Sequence, residues 1–88
     1  MKIYSVKEIH INEFNLYGTE FGATYYRDIE EAMKDYCERC NDTKQNKTVE
    51  IVKEYKSFEG NTLGYFVYCN LENPEAKIKI TLNRHNLK

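Results

Sequence analysis

The seven residues Leu63-Gly64-Tyr65-Phe66-Val67-Tyr68-Cys69 constrain this chain more than any other stretch. They read as a strand that is apolar on both faces. Successive side chains alternate across a strand, so Leu63, Tyr65, Val67 and Cys69 share one face, and Phe66 and Tyr68 share the other. A sheet built around such a strand needs cover on both sides. The rest of the chain offers one convincing helix, and one helix shields one face. The Phe66/Tyr68 face is therefore expected to need another cover, either a partner or a second copy of the chain in a homodimer.

The helix is the firmest expectation. Ile29, Ala32, Met33, Tyr36, Cys37 and Cys40 fall on a single helical stripe. Asp28 followed by Glu31 is a cap-like start, in which the Asp28 carboxylate accepts from backbone N–H groups of the first turn. Glu30 with Lys34 and Asp35 with Arg39 form i,i+4 pairs on the solvated side. Asn41 is a plausible left-handed terminator. Strands are expected at residues 2–11, 19–26, 48–58, 63–71 and 76–82. The first of these slips in parity near Lys7-Glu8, which points to a bulge or an edge position. The second carries Phe21, Ala23 and Tyr25 on one face. Residues 12–18 form a connecting loop, and its Phe14, Leu16 and Tyr17 are an alternative cover for the sheet. Gly60-Asn61 supplies a tight hairpin turn, and Asn73-Pro74-Glu75 breaks the ladder. Ala76, Ile78, Ile80 and Leu82 are expected inside, with Lys77, Lys79 and Thr81 outside. Residues 83–88 read as a polar, frayed tail. The order β-β-α-β-β-β defines an α+β class, an antiparallel sheet of about five strands with one amphipathic helix on one face.

Eighty-eight residues make one domain, residues 1–88, with a modest core. Eight tyrosines suit half-exposed contact positions, because each buries a ring and keeps a polar tip. The formal charge of −1 gives no strong field for nucleic acid or a membrane. That charge is unevenly spread. Residues 1–44 carry six basic residues against nine acids, and residues 45–88 carry seven against five. An acidic helix side and a mildly basic strand side are expected. The N-terminus has no continuous apolar core of the kind a signal peptide needs, and no run approaches membrane-spanning length. Three cysteines are an odd number for a disulfide framework, so a reducing cytoplasm is the expected compartment.

Candidate chemistry is sparse. Cys37-Glu38-Arg39-Cys40 is a C-x-x-C placed toward the end of the helix, where the dipole opposes a thiolate. A zinc site would need Cys69 and His10 to join the pair. Both helix cysteines also lie on the apolar stripe, so the core reading is preferred and no metal or cofactor is expected. Ser5 and Ser57 are the only serines, and neither sits in a turn motif beside a base. No phosphate-binding glycine pattern is present. The expectation is a non-catalytic binding protein. Its candidate contact residues are Tyr26, Glu30, Glu31, Asp35, Phe66 and Tyr68, which combine a second aromatic face with an acidic helix. The alternative is a sheet that holds single-stranded nucleic acid through Lys77 and Lys79 beside the Phe66 and Tyr68 rings.

A hairpin followed by Tyr26-Arg27-Asp28-Ile29-Glu30-Glu31-Ala32 and further strands resembles small accessory proteins of bacteriophages and mobile elements of low-GC bacteria. The Lys/Asn/Tyr/Ile-heavy composition points the same way. The resemblance covers the topology and those seven residues. It implies a host-takeover factor, such as an anti-CRISPR or other anti-defence inhibitor, whose partner is a host nuclease or defence complex. It assigns no functional residue.

Overall fold

The computed structural model describes residues 2–11, 17–57 and 59–86. Strands β1 (Lys2–Ile11) and β2 (Tyr17–Tyr26) precede helix α1 (Ile29–Lys44). Strands β3 (Val49–Lys56), β4 (Thr62–Asn70) and β5 (Asn73–Asn86) follow it. All five strands pair antiparallel in one sheet, in the order β2-β1-β5-β4-β3. This is the α+β class read from the sequence. The chain leaves the sheet at one edge, crosses one face as α1, and returns at the opposite edge.

Helix α1 starts where expected. Asp28 is its N-cap and accepts from the Glu30 N–H at 3.0 Å. Glu30 and Glu31 sit in the first turn, at the positive end of the helix dipole. The helix runs past Asn41 to Lys44, and its C-cap Gln45 has ordinary right-handed angles. Asn41 is therefore an interior residue, because no left-handed turn interrupts the backbone there. Ala32, Tyr36 and Cys40 are the buried positions of the stripe, with Ile29 and Met33 packed at its margin.

The helix covers the face opposite to the one expected. Across the ladder, Val6 pairs with Leu82, Ile80 with Phe66, and Ile78 with Tyr68. This even-parity face forms the core with Ala32, Tyr36 and Cys40. Phe66 is 1% exposed, and Tyr68 packs against the same cluster. The face without a helix carries Tyr65, Val67 and Cys69 instead. Leu63 does not share that face. The register shifts by one residue between Thr62 and Gly64, which brings Leu63 into the helix-side core. Simple alternation counted from Leu63 crosses this bulge and so mixes the two faces.

Strand β5 is also longer than its clean alternation implies. It runs through Asn83, Arg84, His85 and Asn86, which pair with Ser5, Tyr4, Ile3 and Lys2 of β1. The first half of β1 needs a partner, and this polar segment supplies its ladder. Pro74 is tolerated near the start of the strand because the β1 pairing begins only at Lys77. Ala76, expected inside, is exposed in this segment beyond β1. A register shift between Glu8 and Ile9 matches the parity slip in β1. The β3–β4 connection is wider than a two-residue turn, with Gly60 at φ 80°. Phe14 and Leu16 of the 12–18 segment, and the side chains of Tyr17 and Phe21, lie outside the described residues.

Candidate functional site

The sheet face without a helix holds a groove of about 400 Å³. Its apolar floor comes from Ile9 and Ile11 of β1, Val52 of β3, and Tyr65 and Val67 of β4. Lys53, Lys77 and Lys79 rim it. The ladder explains the assembly. Lys79 stands opposite both Ile9 and Val67, and Lys77 stands opposite both Ile11 and Cys69, so basic residues alternate with apolar ones across three strands. Val52 is the extra residue at the register shift between Ile51 and Lys53, and the bulge turns this edge residue toward the groove.

Tyr65 anchors one end. Its ring stacks on Tyr55, its direct cross-strand neighbour, with centroids 5.0 Å apart and planes 18° apart. The Lys79 ammonium lies 4.7 Å from the Tyr65 centroid, and that of Lys53 lies 5.6 Å away. Two like charges are held near one ring by its negative quadrupole. Among the described residues, Lys53, Lys77 and Lys79 form no ion pair. On this face Glu50 of β3 stands in register with Cys69.

Of the residues expected to contact a partner, two face solvent freely. Glu30 and Glu31 are exposed on α1. Tyr26 and Asp35 are engaged within the molecule. The Tyr26 hydroxyl donates to Asp35 at 2.6 Å, and Arg39 grips the same carboxylate with Nε at 2.7 Å and Nη2 at 3.2 Å. Arg39 also donates to Thr24 of β2 and pairs with Glu8 of β1 at 3.3 Å. Asp35 thus points toward the β1–β2 hairpin rather than the solvated side. Burial works to raise the Asp35 carboxyl, but the hydrogen bonds from Arg39 and Tyr26 outweigh it and hold the group below the usual range. The Tyr26 hydroxyl is shifted upward, chiefly by the bond it donates to Asp35. Phe66 belongs to the core, so it offers no contact surface. Lys77 and Lys79 do face away from the helix, as expected, but their neighbours are Tyr65, Val67 and Cys69 rather than Phe66 and Tyr68.

The nucleophiles are dispersed. Cys37 and Cys40 lie on α1, while Cys69 lies on the groove side of the sheet, and all three are free thiols. The sheet separates Cys69 from the other two. Burial pushes the Cys40 thiol upward, which makes it a poorer nucleophile. One pairing escaped the sequence reading. Ser5 Oγ lies 2.7 Å from His85 Nε2, eighty positions away in the chain. The pair is a diagonal across the β1–β5 ladder, and a segment read as tail gave no signal for it. Ser5 is 0% exposed, and its strand is paired on both sides. A substrate carbonyl has no approach to that hydroxyl in this arrangement.

Comparison with known protein families, curated proteins and solved structures returns no match. No helix among the described residues is long and apolar enough to cross a membrane.

Proposed function

We propose that this protein is a small non-catalytic binding module that docks through the helix-free face of its sheet and works by occluding a surface on another protein. The groove carries this reading: Ile11, Val52 and Tyr65 are part-exposed above a buried base of Ile9 and Val67, and the three lysines around them form no ion pair among the described residues. An unused patch of mixed apolar and cationic character is the kind of surface that a partner completes. The resemblance to phage and mobile-element accessory proteins extends the proposal to an inhibitor of a host defence protein, such as a CRISPR nuclease. Free thiols suit a reducing cytoplasm as its place of action.

The test is co-purification from host cells with two double variants. Val52→Asp with Lys53→Glu changes exposed groove residues on the edge strand. Glu30→Lys with Glu31→Lys changes the exposed acids of α1. The groove variant is expected to lose the partner, and the helix variant to retain it. The opposite pattern would move the docking surface to the helix.

A further inference from the structure

We infer that the occupant of the groove is an acidic, amphipathic protein segment, one that sets aliphatic side chains on the floor and carboxylates against Lys53, Lys77 and Lys79. The inference rests on the docking face proposed above and specifies the chemistry of its partner.

Three observations select this occupant. First, the groove is largely aliphatic: Ile11 and Val52 open onto it, above a base of Ile9 and Val67 that are 7% and 8% exposed. Nucleic acid gains its affinity for single-strand-binding sheets by stacking bases on aromatic rings. Among the described residues the floor's one aromatic ring, that of Tyr65, is already engaged by Tyr55 and by two ammonium groups. Second, the rim charges share one sign, and among the described residues none of them meets a carboxylate. Carboxylates meeting them gain Coulomb energy without displacing an existing ion pair. Third, the chain cannot satisfy its own groove symmetrically. A two-fold dimer through this face would bring two copies of Lys53, Lys77 and Lys79 together. A head-to-tail contact with the acidic exterior of α1 in a second copy would match the charge. It would leave the floor empty, because the apolar stripe of that helix is buried against its own sheet.

A displayed library of random twelve-residue peptides, selected on the wild-type protein, tests this directly. A fifteen-nucleotide oligo-dT serves as the nucleic-acid probe. The expected outcome is a consensus that mixes Asp or Glu with Leu, Ile, Val or Phe, with binding that weakens as salt rises. Lys77→Glu with Lys79→Glu should cut the affinity of the selected peptides at least tenfold, and Lys77→Gln with Lys79→Gln should do so to a smaller degree. Circular dichroism and thermal melting confirm that both variants remain folded. The inference is overturned if no peptides enrich, if those enriched are neutral or basic, if they bind the charge-reversed variant unchanged, or if oligo-dT binds more tightly. Failure here is separable from failure of the docking face. A co-purified partner lost on Val52→Asp with Lys53→Glu but kept on Lys77→Glu with Lys79→Glu would retain the face and discard the acidic segment. A partner kept by both variants would discard the face itself.

Discussion

Truncating Phe66 to alanine separates a core role from a contact role, because the two predict different observables. The ring is 1% exposed and sits under α1 among Tyr36, Ile80 and Tyr68, with its centroid 6.0 Å from that of Tyr68. Removing a buried phenyl ring forfeits its transfer energy and leaves a cavity, which together cost about 3–5 kcal/mol. The Lys44 ammonium lies 5.6 Å from the same ring. Losing that contact adds at most about 0.5–1 kcal/mol at so exposed a site. A domain of 88 residues holds roughly 4–13 kcal/mol in total. Phe66→Ala therefore removes a large share of the stability, and it lowers the melting temperature by about 12–40 °C. Urea unfolding followed by far-ultraviolet circular dichroism reads the loss as a shift in midpoint at unchanged slope. Val52→Ala, on the open face, is the control and should stay within about 0.5 kcal/mol of wild type. If Phe66→Ala costs under about 1 kcal/mol, the helix does not cover this face and the layer assignment is wrong.

Two further predictions follow from polar and close-packed contacts. Arg39→Ala leaves the Asp35 carboxylate with the Tyr26 hydroxyl but without its cation and should destabilise the chain by about 1–3 kcal/mol at neutral pH, with Arg39→Lys recovering only part because the planar fork is lost. The folded-state value of Asp35 is depressed, so its contribution is complete above the unfolded value, near 3.9, and is lost as the pH falls through the lower folded one. The gap in urea midpoint between pH 7 and pH 3 should accordingly narrow in Arg39→Ala, and an unchanged gap would show that Arg39 is not what holds Asp35. Gly64→Ala would place a methyl 3.2 Å from the Tyr55 carbonyl oxygen and 3.3 Å from the Tyr36 ring. Tyr36 would have to move, at about 1–3 kcal/mol, and a melt indistinguishable from wild type would contradict that close approach.

The elements of this fold were legible wherever a single period ran uninterrupted. The stripe from Ile29 to Cys40 located α1, and Asp28 located its start. The alternation of Ile78, Ile80 and Leu82 with Lys77 and Lys79 gave the two sides of β5 correctly. What periodicity does not encode is which side of a two-faced strand the helix occupies. In β4 both parities are apolar, so the choice rests on the bulge at Leu63 and on the fit of Tyr36 over Gly64. Neither leaves a mark in a linear pattern. The segment Asn83–Asn86 was hidden for another reason. Its residues are polar because the ladder with β1, rather than burial, holds them. The candidate site inherited both difficulties. Lys77 and Lys79 were visible as a basic pair, but Lys53, Val52 and Tyr65 joined them only through cross-strand register. Tyr26 and Asp35 looked available on charge and pattern, and are consumed by Arg39 reaching across from the helix to the hairpin.

The central position of β1 and β5 sets the order in which this molecule can be assembled during translation. Val6, at the heart of the core, finds its cross-strand neighbour in Leu82. A ribosome must therefore release the chain through β5 before the middle of the sheet closes. Until then the β1–β2 hairpin is held to α1 by the Arg39 clamp, and the hairpin's inner edge stays open. Such long-range closure slows folding relative to a helical bundle of equal size. It also leaves an interval in which the nascent chain presents an unpaired strand, and cells often shield such intermediates with chaperones.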